Sequence, residues 1–179
     1  FGQSRDALRL MADARARGID ITFDQYPYTA SSTGLGFLIP RWAFADEGLR
    51  PRLDDPIQAA RIRAEMLEFL DERFAGDPSG VQLVNCSFDA SLAGRTLRDI
   101  LDERGVAPTP ENMAELVLEL HLRGGCGSIL HSFSEEDVEV LLRSELGMIG
   151  SDGTLVAMGL GNPHPRGYGT YPRVLGRYV

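Results

Sequence analysis

Apolar side chains recur every three or four residues at the start of the chain, and then alternate with polar ones. The first spacing predicts a helix that Ser4 caps and that Gly18 ends. The alternation over residues 19–24 predicts a strand directly after it. A helix, a short turn and a strand in this order form half of a β/α repeat. Residues 25–34 then form a polar loop that ends in glycine.

The pattern changes from about residue 35 to residue 124, where amphipathic helices and one strand replace the β/α rhythm. Asp55 followed by proline is a typical helix start, and threonines precede two further helices as candidate caps. In chain order the pattern predicts an aromatic, irregular stretch over 36–50, a helix over 57–74, a strand over 81–86, and helices over 96–104 and 110–123.

The β/α rhythm returns near the end of the chain. Residues 127–133 are strand-like, Ser134 starts a capping-box pattern, and a short apolar strand over 146–150 follows the helix. Residues 154–179 are rich in glycine and proline and predict a loop that folds against another part of the protein. One inserted block therefore separates two β/α stretches.

The charge of the chain excludes several functions. Its 179 residues carry 18 basic and 26 acidic side chains, and every basic one is arginine. A net charge of −8 argues against a nucleic-acid partner, and the absence of lysine removes Schiff-base and phosphate-loop lysine chemistry. No apolar run approaches the roughly 20 residues that a membrane helix needs, and no signal peptide is visible. Arginine favours a grip on an anion over proton transfer.

Cys86 and Cys126 are too few and too far apart to indicate a disulfide framework or a thiolate metal site. We therefore expect two buried free thiols in a reducing cytoplasm. The chain begins at Phe1 without methionine and ends without a clear stop, so we also expect a fragment of a longer protein.

Asp152 is the sharpest candidate for chemistry. It follows an apolar strand that itself follows a helix, and the carboxyl ends of such strands carry the sites of α/β proteins. Glycines on both sides allow the backbone to bend and leave the carboxylate accessible. The alternative is an aspartate that only accepts hydrogen bonds within a turn.

Two further segments supply candidate binding residues. Tyr26 follows the first strand directly, within a loop that also contains Tyr28 and Ser32, although both rings could simply pack. Arg166 lies in a loop stiffened by two X-Pro steps, where it could bind a substrate anion or pair with the chain's own acidic residues. His121 and His131 have no neighbours at the spacing of a complete zinc site.

Three motifs in this order resemble the D-aminoacylases, the N-acyl-D-amino-acid deacylases of the amidohydrolase superfamily. They are DQYPYTASST at 24–33, IGSDG at 149–153 and PHPRGYGTYPRVLG at 163–176. The resemblance implies an α/β fold: the last two strands of a metal-dependent TIM-type barrel, residues 1–33 and 125–179, with an inserted α+β lid domain over 34–124. On this mapping, residues 19–24 and 146–151 resemble the seventh and eighth barrel strands.

The resemblance also implies roles for particular residues. Asp152 would contact the metal and act as general base, while Tyr26, Ser32 and Arg166 would bind the substrate. The expected reaction is zinc-dependent hydrolysis of a small-molecule N-acyl-D-amino acid to a carboxylate and a D-amino acid. Neither a nucleic acid nor a membrane is expected as a partner.

The family's H-x-H motif, metal-binding cysteine, two later histidines and substrate-binding lysine have no counterparts in this chain. A barrel needs about 200 residues or more. We therefore expect zinc in the full-length parent, but no metal and no activity in this segment alone. The alternatives are another amidohydrolase, such as a dihydroorotase-like or hydantoinase-like cyclic amidase, and a non-catalytic lid or oligomerisation module. Exposed strand edges would favour a homodimer or a domain swap.

Overall fold

The computed structural model describes residues 2–157 and 159–179. Phe1, where the first predicted domain begins, and Met158, within the predicted terminal loop, lie outside the described residues. The helices and strands are, in chain order, α1 (Ser4–Ala16), β1 (Phe23–Gln25), β2 (Ser31–Gly34), α2 (Leu49–Asp54), α3 (Pro56–Phe74), β3 (Val81–Cys86), α4 (Leu97–Glu103), α5 (Pro110–Leu122), β4 (Cys126–Leu130), α6 (Glu135–Leu142), β5 (Gly147–Ile149) and α7 (Arg166–Arg173). Within the described residues, four short 3₁₀ turns and one π turn complete the set.

The elements with strong local signals form as predicted. The Asp55 side chain caps α3 by accepting from two N–H groups of its first turn, with a proline at the first helical position. Thr96 caps α4 in a full capping box, and Thr109 caps α5. Strand β3 has the predicted bounds, where apolar side chains alternate with polar ones. These predictions are confirmed because each rests on contacts within a few residues.

Three predictions of local structure are wrong. Ser4 does not cap α1, since Gln3 occupies the N-cap position and the Ser4 hydroxyl donates to Asp137 instead. The strand predicted over 19–24 is reduced to β1, which begins at Phe23. The end of the predicted loop at 25–34 is strand β2, a polar segment that becomes a strand by pairing with β4.

The predicted terminal loop is also wrong in its second half, because residues 166–173 form α7 and residues 174–178 a π turn. Proline is tolerated near a helix start, and Pro165 occupies the N-cap of α7. The Thr170 hydroxyl donates to the Arg166 carbonyl oxygen at 3.0 Å inside this helix. Pro172 lies in the last turn, and the chain continues past it as the π turn.

The chain divides into two compact units. The first, called the terminal unit, comprises Phe1–Ser31, Ser132–Leu160 and His164–Val179. The second, called the middle unit, comprises Ser32–His131 and Gly161–Pro163. No described helix combines the length and the apolar character needed to cross a membrane.

The middle unit contains a three-stranded sheet in the order β2-β4-β3, of which β3 and β4 are antiparallel. Helices α3, α4 and α5 contribute apolar faces to one cluster with the inner face of β3. Burial of this kind stabilises a fold by about 25 cal/mol per Å² of apolar surface. The main hydrophobic core of the chain therefore lies in this unit.

The terminal unit is built around one parallel strand pair, in which Phe23 lies opposite Gly147 and Gln25 opposite Ile149. Helices α1 and α6 pack together, and the Asp137 carboxylate of α6 accepts hydrogen bonds from the start of α1. Parallel pairing brings the carboxyl ends of β1 and β5 to the same edge. Tyr26 and Asp152 follow those two ends in sequence.

Cys86 and Cys126 form a disulfide that joins directly opposed residues of β3 and β4, which corrects the prediction of two free thiols. Antiparallel pairing brings the cysteines together across 40 residues of sequence, and spacing alone does not reveal that. Free thiols were the basis for expecting a reducing cytoplasm, so the cytoplasmic location stays a prediction without that basis.

Candidate active site

Asp152 lies three residues beyond the end of β5, in the left-handed backbone region with φ of +45°. Its side chain is 72% exposed. The neighbouring glycine makes this position possible, since a Cβ on Gly153 would lie 2.6 Å from the Cα of Gly167 and 3.0 Å from the Arg166 carbonyl oxygen. The close backbone approach brings the Asp152 turn against the first turn of α7.

Arg166 is the first residue of α7, and its guanidinium forms an ion pair with Asp152 at 2.9 Å between Nη2 and Oδ2. The two partners differ in exposure, because the arginine side chain is only 12% exposed. Solvent screens the charge of the exposed Asp152 carboxylate, which weakens its attraction to the arginine. The arginine is therefore held within the protein, whereas its carboxylate partner is open to solvent.

Tyr26 supplies an aromatic surface for the same arginine. It follows β1 directly, and the Arg166 guanidinium carbon lies 5.0 Å from the centre of its ring. A guanidinium over a tyrosine ring is attracted by the negative face of the ring. The structure thus groups Tyr26, Asp152 and Arg166 within the terminal unit. Ser32 belongs to β2 in the middle unit and is half-buried.

Sequence reasoning missed His164, which connects the tyrosine loop with α7. Its ring makes edge contacts with Tyr26 and Tyr28, at centroid distances of 6.1 and 5.0 Å. Its Nδ1 accepts the backbone N–H of Arg166, and its Nε2 lies 3.0 Å from the Ala30 carbonyl oxygen. The signal available in the sequence was the position of this histidine. A side-chain acceptor can accept the N–H of the residue two positions later, as in an Asx turn, and that residue here is the first of the helix.

Arg173 and Tyr28 extend this cluster at the far end of α7. The Arg173 Nε donates to the Pro27 carbonyl oxygen at 2.6 Å, and its guanidinium lies 5.0 Å from the Tyr28 ring centre. Burial raises the pKa of the Tyr28 hydroxyl, although the Arg173 charge opposes the shift. Tyr28 is therefore a neutral phenol near pH 7. A side chain at Gly169 would collide with the Tyr28 hydroxyl, so this glycine permits the loop to lie against the helix.

The described residues do not provide a complete metal site. No group of three or more His, Cys, Asp or Glu side chains able to hold an ion occurs within residues 2–157 and 159–179. Asp152 offers one carboxylate, and zinc requires three or four protein ligands. The cysteines are bonded to each other, and burial lowers the pKa of His121, whose ring lies 5.1 Å from that of Phe44 in the middle unit. A metal at Asp152 would need most of its ligands from elsewhere.

The chain is similar to two curated enzymes over its whole length. It is 32% identical over 179 residues to the D-aminoacylase of Alcaligenes xylosoxydans xylosoxydans, and covers 27% of that protein. It is 27% identical over 191 aligned residues to the N-acyl-D-glutamate deacylase of the same organism, and again covers 27% of the relative. No family model matches the chain.

Solved structures give the same result. A D-aminoacylase that defines a novel subset of amidohydrolases matches 99% of this chain and 28% of its own, with 31% identity and a TM-score of 0.64. Another D-aminoacylase structure, with a TM-score of 0.63 and 31% identity, concerns a binuclear metal centre with one-metal activation and second-metal attenuation. An N-acyl-D-glutamate deacylase from Bordetella bronchiseptica, complexed with zinc and a phosphonate mimic of the tetrahedral intermediate, shares the fold at 24% identity and a TM-score of 0.64.

The chain spans only 27–28% of the length of these relatives. Its α/β fold and its sequence match them from one end of the chain to the other. The resemblance predicted from the three motifs is confirmed: over its length the chain is similar in sequence to a D-aminoacylase and an N-acyl-D-glutamate deacylase, and similar in fold to a D-aminoacylase of the amidohydrolases.

Proposed function

We propose that this chain is the C-terminal-side portion of a zinc-dependent amidohydrolase that hydrolyses N-acyl-D-amino acids to a carboxylate and a D-amino acid. β1 and β5 are the last two strands of its TIM-type barrel, and residues 34–124 form the inserted domain. The observation that carries the proposal is a largely buried Arg166 that presents its guanidinium to one exposed carboxylate, in a chain similar throughout to D-aminoacylases.

Arg166 binds the α-carboxylate of the substrate. In the structure this guanidinium already binds a carboxylate, that of Asp152, at 2.9 Å. A bidentate arginine–carboxylate pair with the substrate is stronger than this single contact with an exposed partner. Tyr26 holds the guanidinium plane from one side, which fixes the direction from which the carboxylate enters.

Asp152 moves the proton. A carboxylate released from Arg166 can accept a proton from the attacking water and then return it to the leaving amine nitrogen. Exposure of this side chain gives water access to it, and the left-handed turn holds it beside the arginine. Binding of the substrate anion by Arg166 therefore both orients the amide and frees the base.

Zinc belongs to the complete enzyme, where it would make the attacking water more acidic. The residues of this segment do not fit a whole site, since Asp152 is a single ligand. The part of the reaction that the segment supplies is the binding of the substrate anion and the transfer of the proton. The segment by itself is expected to release no D-amino acid.

The test is hydrolysis of N-acetyl-D-amino acids by the zinc-loaded, full-length protein that contains this chain. We expect D-amino acid release from the open N-acyl substrate in preference to cyclic amides. Asp152→Asn should lower kcat by about 10²–10⁴-fold, and Arg166→Ala should mainly raise KM. Arg143→Ala is the matched control, because Arg143 also pairs with a carboxylate but is exposed near the end of α6.

Two outcomes would overturn the proposal. The first is a full-length protein that releases no D-amino acid with zinc present, or that prefers cyclic amides. The second is unchanged turnover in the Asp152 variant, which would remove the base assignment. A loss of activity in the Arg143 variant equal to that of Arg166→Ala would instead show that removal of any arginine from the unit lowers activity, and that the effect is not specific to the Arg166 guanidinium.

A further inference from the structure

His164 is the most buried histidine of the chain, with 6% of its surface exposed. It lies two residues before Arg166, and only Pro165 separates them. Proline at the N-cap of α7 offers no side-chain acceptor to the free N–H groups of the helix. The histidine supplies that acceptor from one position further out.

The two hydrogen bonds of the imidazole fix its protonation. Nδ1 accepts the Arg166 backbone N–H at 3.0 Å, so it carries no proton of its own. Nε2 then carries the proton and donates to the Ala30 carbonyl oxygen at 3.0 Å. His164 is therefore a neutral imidazole that bridges the tyrosine loop and the first turn of α7.

The His164 imidazole thus acts on Arg166 at two places, its backbone and its guanidinium. Through Nδ1 it sets the backbone from which the arginine projects, and through its edge it contacts Tyr26, whose ring lies against the guanidinium. Tyr28 packs on the same imidazole almost perpendicularly, at an interplanar angle of 87°. A small rotation of the imidazole would shift the arginine and its aromatic surface together.

We propose that His164 is a positioning residue for the carboxylate-binding Arg166, acting through the hydrogen bond that its Nδ1 accepts. The inference rests on the proposed role of Arg166 and adds the residue that orients it. Loss of the Nδ1 acceptor leaves an N–H of the first helical turn without its partner and loosens the guanidinium. Binding of the substrate anion should weaken on the order of tenfold, the worth of one hydrogen bond.

The test compares three substitutions in the zinc-loaded, full-length protein. In His164→Asn, the side-chain oxygen of asparagine replaces Nδ1 as the acceptor. It lies at the distance from the backbone from which asparagine accepts the N–H of the residue two positions later. In His164→Gln the amide lies further from the backbone, so this variant keeps a donor for the Ala30 carbonyl oxygen but loses the acceptor for the Arg166 N–H. His164→Ala keeps neither the donor nor the acceptor. We expect KM near that of the wild type for Asn, KM raised about tenfold for Gln and Ala, and kcat within about threefold throughout.

A second substrate separates positioning from general damage. The amide of the same N-acyl-D-amino acid lacks the carboxylate, so its KM should be the same in all three variants and in the wild type. His131→Ala, a substitution at an exposed histidine in the middle unit, is the control. A melting curve for each variant identifies any that does not fold, and the Asn and Gln variants still decide the question if Ala fails.

The possible results are distinguishable. A wild type that releases no D-amino acid contradicts the proposed function and not this inference. With an active wild type, any of four results would overturn the role of His164. The first two are a KM unchanged in all variants and a KM near that of the wild type for Gln but not for Asn. The other two are an Asn variant with a KM as high as that of Ala, and an equal rise of KM for the acid and the amide.

Discussion

The two units of the chain bury different kinds of side chain. The main hydrophobic cluster lies entirely in the middle unit, among α3, α4, α5 and β3. The described part of the terminal unit buries a valine, two alanines and a proline, but several polar groups: Ser4, Ser132, Asp137, His164 and Thr170. Apolar packing stabilises the first, while hydrogen bonds position the second.

This difference separates stability from the candidate chemistry. Tyr26, Asp152 and Arg166 all belong to the unit with few apolar contacts, where large side chains such as Ile19 and Met148 remain exposed. Apolar packing is non-directional, whereas hydrogen bonds fix direction. Substitutions in the middle unit should therefore change the free energy of unfolding, and substitutions in the terminal unit should change geometry first.

The largest effect on stability is expected from the core of the middle unit. Leu83→Ala removes a fully buried side chain of β3 and should lower the free energy of unfolding by about 2–5 kcal/mol. Trp42, the only tryptophan, lies in the same unit, so its fluorescence reports denaturant unfolding there. Ile57→Ala is the control, because Ile57 is 82% exposed and should change little. Equal losses in both variants would contradict the assignment of the core.

The disulfide should come next. Replacement of both Cys86 and Cys126 by alanine should lower the free energy of unfolding by about 2–4 kcal/mol, since the bond closes a loop across a separation of 40 residues. A reductant should shift the Trp42 transition of the wild type in the same direction and leave that of the double variant unchanged. A reductant effect that persists without the cysteines would show that the bond is not its cause.

Local signals explain how much of the fold was predictable. The caps Asp55 and Thr109 and the alternation in β3 lie within the elements that they specify, and these elements formed as predicted. Strand β2 is polar and depends on β4, almost 100 residues later, and the disulfide likewise joins residues of separate strands. Neither pairing leaves a trace in any short window of sequence.

The candidate site also has a part that local signals predict and a part that depends on distant contacts. Strand ends and neighbouring glycines pointed to Asp152, and the structure places it against Arg166. The glycines and the proline of α7 predict a loop. The segment is nevertheless a helix, because its start depends on an acceptor from His164 and its packing on Tyr28. Propensity therefore failed where tertiary contacts decide the local structure.

A smaller effect is expected at Asp137, which ties α1 to α6 in the terminal unit. Its buried carboxylate accepts from the Ser4 hydroxyl, the backbone N–H groups of Gly2 and Ser4, and the Ser134 hydroxyl. The Ser4 hydroxyl first, and then the Gly2 N–H, hold the pKa of this carboxyl well below its usual range. Asp137→Asn should weaken the docking of α1 by about 1–3 kcal/mol.

The sign of the pH dependence follows from the lowered pKa of Asp137. Its contribution is complete above the unfolded-state pKa of about 3.9 and is lost as the pH falls through the lower folded-state value. Hydrogen exchange in α1 should therefore accelerate in acid relative to that in α6, after correction for intrinsic rates. The Asn variant should show the faster exchange already at pH 7, and acid should add little to it. An equal acid response of α1 in both proteins would contradict this role.

The smallest effect is expected at the N-caps of helices, which differ between the two units. In the middle unit, the Thr109 hydroxyl caps α5, so Thr109→Ala should lower the free energy of unfolding by about 1 kcal/mol in the Trp42 assay. In the terminal unit, Gln3 occupies the N-cap of α1 without a side-chain cap, because the Asp137 carboxylate serves that helix from α6. Gln3→Ala should therefore leave hydrogen exchange in α1 unchanged. Faster exchange there would mean that α1 depends on its own residues, and the contrast between a unit specified by local signals and one positioned by distant hydrogen bonds would fail at this helix.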